Sequence, residues 1–270
     1  MRSKVDNVGA IPQCHGVSEV TLLQQLNRPA RGIEQIQQYQ REIQRTLLKE
    51  SRVLDAANFT RFHPSDLQRL FNLYDNLFFA GCLEKELGAS PLSFRISSRM
   101  TSAGGKTSRI VLRSQPHQPR YEITVSSTLL FQTFRDVRRT VKVTGLECRS
   151  RMDALQRIFE HELVHLAEML IWENSQCSKP RFQSIAAVNF GHREHQHALV
   201  TPRERASKQF GLTPGTRVWF QLDGRKYTGI INRITRRATV LVEDLQGQQY
   251  DNGRKYSKFY VPFEMLHRIS

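Results

Sequence analysis

Met152-Asp-Ala-Leu-Gln-Arg-Ile-Phe-Glu-His161-Glu162-Leu163-Val164-His165-Leu-Ala-Glu-Met-Leu-Ile-Trp172 is the segment that decides how this chain is read. Leu155, Ile158, Phe159, Leu163, Leu166 and Leu170 recur at helical spacing, so the segment reads as a helix buried along an apolar face. Within it, His161-Glu-Leu-Val-His165 fits H-E-x-x-H. Residues four apart on a helix share one face, so two imidazoles at that spacing can reach one zinc ion. Glu162 is offset around the helix and is placed to reach a water on that ion, as a general base. His161 and His165 are therefore read as metal ligands and Glu162 as the catalytic carboxylate of a zinc hydrolase.

A third ligand is required. The metzincin continuation would place Gly at position 168 and His at 171. The chain has Glu168 and Ile171, which excludes that class. Downstream, Phe190-Gly-His-Arg-Glu-His-Gln-His197 offers His192, Glu194, His195 and His197 as candidates. The four cysteines, Cys14, Cys82, Cys148 and Cys177, form no C-x-x-C pair and read as reduced, mostly buried thiols.

Working outward, Ile33, Ile36, Tyr39, Ile43, Leu47 and Leu54 predict an N-terminal helix. Ser65 is expected to cap a second helix running from Asp66 to Phe79 and ended by Gly81. Leu92–Ile96 and Tyr121–Val125 alternate as strands, with Ile110–Leu112 as a third. Between them lies the turn-rich Met100–Lys106. Arg138–Gly145 reads as a strand or a basic insertion, 174–190 as a loop, and His192 to Leu199 as a further helix. From Thr216 on, short strands are punctuated by Asp223-Gly224, Gln246-Gly247 and Asn252-Gly253. This pattern predicts a small SH3-like β-barrel.

Hydrophobic residues make up 39% of the 270, which allows a packed core and argues against global disorder. No apolar run approaches the roughly 20 residues of a membrane span. A cytoplasmic protein without membrane attachment, with nucleoid association possible, is expected. The net charge is +15, and residues 201–270 hold 13 Lys and Arg against 6 Asp and Glu. Arg225, Lys226, Arg233, Arg236, Arg237, Arg254 and Lys255 supply that field, interleaved with aromatic residues. A DNA or other polyanion partner is expected at these positions.

The motif and its surroundings resemble the SprT-like zinc metallopeptidase family, the Spartan-type protease domain, over about residues 66–200. The resemblance rests on Leu70-Phe-Asn-Leu-Tyr-Asp-Asn-Leu-Phe-Phe79 with Gly81 and Leu83, and on Arg99-Met-Thr-Ser-Ala-Gly-Gly-Lys106 after a strand. It continues through an Ile/Val strand before Leu129-Leu130, then His161-Glu-Leu-Val-His165, then Gly191-His192. It implies an α+β, minigluzincin-like fold with one zinc ion, and His192 as the third ligand. Arg193 stands where the family has a second glycine. It also implies a protein substrate captured as a strand on a sheet edge. Ala103-Gly104-Gly105 is where the backbone would approach that substrate, or is a plain hairpin turn. The expected organisation is an N-terminal helical extension (1–64), the metallopeptidase domain (65–200) and the barrel (213–270). The expected activity is cleavage of DNA-associated or DNA-crosslinked proteins. The alternatives are a nucleic-acid-binding adaptor with a structural zinc and a zinc hydrolase with a non-peptide substrate.

Overall fold

The computed structural model describes residues 20–135 and 139–269. Cys14 lies outside them. The chain is mixed α+β. It opens with α1 (Leu22–Leu26) and α2 (Ile33–Glu50). On α2 the buried row is Ile36, Gln40, Ile43 and Leu47, while Ile33 is 53% exposed. A glutamine thus occupies a core position that the apolar stripe alone did not mark, because it has a buried partner on another helix.

α3 (Pro64–Tyr74) is capped by His63, not Ser65. The His63 ring accepts from the Ser65 amide, and Asp66 returns a bond to the His63 amide, with Pro64 in the first turn. The proline fixes the start two residues earlier than a serine cap would, since it lacks the amide that a cap must satisfy. The helix loosens into a π-type turn over Asp75–Phe79 before α4 (Cys82–Leu87).

Three strands follow: β1 (Leu92–Ser97), β2 (Gly105–Leu112) and β3 (Gln115–Ser126). Their order in the sheet is β1-β3-β2. β1 runs parallel to β3, and β2 pairs antiparallel with β3. β2 is therefore an edge strand. After α5 (Ser127–Thr133), β4 (Val141–Val143) and β5 (Leu146–Cys148) form a small hairpin. α6 (Arg151–Trp172) packs along β2. α7 (Pro180–Phe190) occupies most of the stretch expected as a loop.

α8 (Pro202–Phe210) leads into β6 (Arg217–Leu222), β7 (Arg225–Ile234), β8 (Ala238–Gln249), β9 (Lys255–Val261) and β10 (His267–Arg268). These five strands form one antiparallel sheet in the order β10-β6-β7-β8-β9. The apolar core is divided in two. One cluster runs from Leu22 to Leu199 and includes the N-terminal helices; the other runs from Ala206 to Leu266. Polar contacts join the two units. Arg139 forms a two-pronged ion pair with Glu204 at 2.7 and 2.8 Å, and Arg236 donates to Ser98 Oγ at 3.1 Å. Among the described residues, no helix is long and apolar enough to cross a membrane.

Candidate metal centre

α6 starts at a reciprocal cap. Ser150 Oγ accepts from the Asp153 amide, and Asp153 Oδ2 accepts from the Ser150 amide, each at 3.1 Å. Leu155, Phe159, Leu163 and Leu166 are fully buried and fix the helix against the core. This orientation turns His161 and His165 to one side. Their Nε2 atoms lie 3.2 Å apart. The Phe182 ring packs against both imidazoles, at 4.8 and 4.5 Å between centroids.

Burial pushes His161 down to about 2, with the neighbouring His165 adding to the effect. Burial also pushes His165 down to about 4, against a smaller opposing pull from Glu168. Both rings are therefore neutral near pH 7, the form that coordinates metal. Two nitrogens bound tetrahedrally to zinc at 2.0–2.1 Å stand about 3.3 Å apart. The observed spacing matches that edge.

A third candidate ligand atom comes from a cysteine, a residue type that the sequence predicts only as a reduced, mostly buried thiol. α6 ends at Glu173 in a left-handed conformation (φ 56°), and the returning chain carries Cys177 to the histidine pair. One ligand atom each from His161, His165 and Cys177 lie within 4.8 Å of one another. The thiol is partly exposed, unlike the buried Cys82 and Cys148. Two imidazoles and a thiolate make a donor set that suits zinc. The available signal was position: Cys177 follows His165 by 12 residues, in the segment directly after the motif helix.

Glu162 is 3% exposed, and burial pushes its carboxyl up to about 8 even though Thr107 hydrogen bonds pull the other way. The Thr107 hydroxyl lies 2.8 Å from Glu162 Oε2 and 3.0 Å from its main-chain oxygen. Gly105 abuts the same side chain: a Cβ there would sit 2.5 Å from Glu162 Oε1. At Gly104 a Cβ would meet Leu199 and Ile158 at 3.0–3.2 Å. At Ala103-Gly104-Gly105 the crowding is with Glu162, Leu199 and Ile158.

These groups line a cleft of about 560 Å³. One wall is Ser102–Thr107 and the other is Val143, Thr144 and His195–His197. The expected helix over His192–Leu199 is absent. Gly191 ends α7 at φ 69°, and the chain then runs extended beside β4. The Thr144 amide donates to Gln196 O at 2.8 Å, and the Ala198 amide to Lys142 O at 2.7 Å.

His192 is not brought to the histidine pair's ligand atoms. Its Nε2 lies 2.9 Å from Glu160 Oε2 in a buried network on α6. Arg157, Tyr74 and Gln40 also bond that carboxylate. A buried carboxylate demands partners, and His192 is spent as one of them. His197 accepts from the Gly104 amide at 3.1 Å and so ties the two cleft walls together. His195 lines the cleft, whereas Glu194 does not.

The seven expected polyanion contacts are all exposed. They divide between opposite ends of the antiparallel sheet. Arg225, Lys226, Arg254 and Lys255 lie at the β6–β7 and β8–β9 turns, and Arg233, Arg236 and Arg237 lie at the β7–β8 turn. The ammonium of Lys226 sits 4.3 Å over the Trp219 ring, and Arg254 pairs with Glu243. The Arg236 end touches the unit carrying the cleft, through Ser98. No family model, curated protein or solved structure matches this chain.

Proposed function

We propose that this chain is a zinc-dependent endopeptidase of the SprT-like type, with a minigluzincin-like catalytic unit. His161, His165 and Cys177 would hold the metal, and Glu162 would act as general base. The observation that carries this reading is the convergence of three ligand atoms beside Glu162, in a cleft walled by an edge strand. Zinc bound there would polarise the scissile carbonyl and acidify the attacking water. Glu162 would accept a proton from the attacking water and pass it to the leaving amine. Thr107 and Gly105 fix where the carboxylate stands. An extended peptide adds to the free edge of β2, where main-chain bonds bind it without strong sequence preference.

The substrate class in this reading is protein held on DNA or another polyanion. Its support is the positive excess of residues 201–270 and the contact between the Arg236 end of that sheet and the cleft-bearing unit. The test is cleavage of a DNA-bound protein by wild type and by Glu162→Gln, each with and without chelator. Wild type should cleave, chelator should stop it, and Glu162→Gln should keep zinc but lose hydrolysis. Stoichiometric zinc with no hydrolysis by wild type would favour the adaptor with a structural metal instead. Undiminished cleavage by Glu162→Gln would remove the proposed base from the mechanism.

A further inference from the structure

The segment that delivers Cys177 also touches the far side of His165. Ser175 Oγ lies 2.6 Å from His165 Nδ1 and 2.5 Å from Glu168 Oε2. The Glu168 side chain is 1% exposed and is held at its other oxygen by Arg181 Nε at 2.6 Å. Arg181 also donates to the main-chain oxygen of Asn174 at 3.0 Å and lies 4.2 Å over the Trp172 ring.

The directions of these bonds are fixed by the number of protons available. Ser175 has one hydroxyl proton, and the Glu168 carboxylate paired with Arg181 only accepts. The Ser175 proton therefore goes to Glu168. Its oxygen is left to accept, and the partner facing it is His165 Nδ1. His165 must then carry its proton on Nδ1. Its Nε2, the atom 3.2 Å from His161 Nε2, is left with a free lone pair directed to the metal site.

We infer that Arg181, Glu168 and Ser175 form a positioning relay that sets the tautomer of His165 for metal coordination. Ser175, Arg181 and Cys177 belong to one segment, 174–181, and Glu168 lies on α6, so docking of the segment on α6 prepares His165 and presents Cys177 in one step. This inference rests on the zinc reading for its purpose, but the tautomer itself does not depend on metal. Partners of this kind orient metal-bound histidines generally and contribute about 10–100-fold to affinity.

Glu168→Gln is the informative variant because it keeps the shape and reverses the proton. With the Gln oxygen turned to Arg181, its amide donates to Ser175, and the Ser175 proton then turns to His165 Nδ1. His165 is driven to the Nε2–H tautomer, which blocks the ligand atom. The full chain is compared as wild type, Glu168→Gln, Ser175→Ala and Ser175→Thr, using zinc competition against a chromophoric chelator. Imidazole nitrogen NMR of the metal-free proteins reports the tautomer directly. Zinc affinity should fall about 10–100-fold in Glu168→Gln and Ser175→Ala and recover in Ser175→Thr. The metal-free wild type should show Nδ1–H at His165, and Glu168→Gln should show Nε2–H. If wild type binds zinc while both variants keep its affinity and tautomer, the relay is only a staple for the loop and the inference falls. If wild type takes up no zinc yet shows the Nδ1–H form that Glu168→Gln reverses, the relay stands and the metal reading fails.

Discussion

Thr107 and Glu162 are bonded across the β2–α6 interface at 2.8 Å, so the edge strand that lines the cleft also holds the Glu162 carboxylate. Two residues earlier, Gly105 leaves no room for a side chain beside Glu162. A methyl there would sit 2.5–2.8 Å from Oε1, Cγ and Cδ together, so rotating the carboxylate alone does not relieve the clash. Gly105→Ala should therefore keep zinc within about twofold while hydrolysis falls on the order of 100-fold, the usual effect of misplacing a reacting group by about 1 Å. Parallel zinc titration and peptide-cleavage rates check this. Equal losses in both would place Gly105 in the fold and not in the alignment of the base.

The donor set makes a separate prediction. Cys177→Ala should weaken zinc binding strongly and remove the sulfur-to-metal charge-transfer band of the cobalt-substituted protein. Cys177→His should restore part of the affinity without that band, because it replaces the thiolate with another neutral-pH ligand. A cobalt spectrum with no thiolate band in wild type would return the third position to His195 or His197.

His192 should matter for folding and not for metal. Burial lowers its pKa, against a smaller opposing effect of Glu160. For Glu160, burial raises the carboxyl, but Arg157 and His192 more than offset this and leave it below the ordinary range. Both groups bind protons less readily in the folded state, so their contributions are present above the unfolded pKa values and are lost as pH falls. The His192 contribution begins to fade below about pH 6.5 and that of Glu160 below about 4.3. His192→Gln keeps a donor for Glu160 and removes the titration. Between pH 6.5 and 5.5, metal-free wild type should lose up to about 1 kcal/mol more stability than this variant in urea unfolding. Zinc affinity at pH 7.5 should be unchanged. A zinc loss comparable to that of His165→Ala would reinstate His192 as a ligand.

The local chemistry of α6 was legible because H-E-x-x-H states its own geometry once the apolar face makes a helix. The strands at 92–96 and 121–125 were legible as β1 and β3, although alternation in burial persists only in β1, since Thr124 is buried beside Ile123 and Val125 in β3. What was lost depended on tertiary partners. Gln40 is a core residue only because Glu160 and Arg157 face it. The histidine-dense stretch 192–197 has helical spacing but runs extended, because β4 offers it main-chain bonds. His192 faces Glu160 and Cys177 faces the histidine pair for the same kind of reason. The sequence shows which side chains can bind a metal, but not which of them a buried carboxylate has already claimed.

The last prediction concerns residues 202–270. Their apolar cluster, Ala206 to Leu266, is separate from the one that runs to Leu199. Polar contacts such as Arg139–Glu204 and Arg236–Ser98 join the units, and exposed pairs of this kind contribute little stability, about 0–1 kcal/mol each. A chain ending at Thr201 keeps Val200, whose amide bonds Thr133 and whose carbonyl accepts from Gln132. It should therefore fold, bind zinc and hydrolyse an unstructured peptide. It should bind DNA more weakly, with a shallower dependence on salt, because each lost phosphate contact removes one counterion release. The two ends of the sheet can then be separated in the full chain. Arg233→Ala with Arg237→Ala should reduce cleavage of DNA-bound protein more than Arg225→Ala with Lys255→Ala, since the first pair lies at the end touching the cleft-bearing unit. Circular dichroism confirms folding, and DNA affinity is measured across a salt series. A folded truncation with unchanged DNA affinity and salt slope would remove the C-terminal sheet from nucleic-acid binding and assign the polyanion to the catalytic unit.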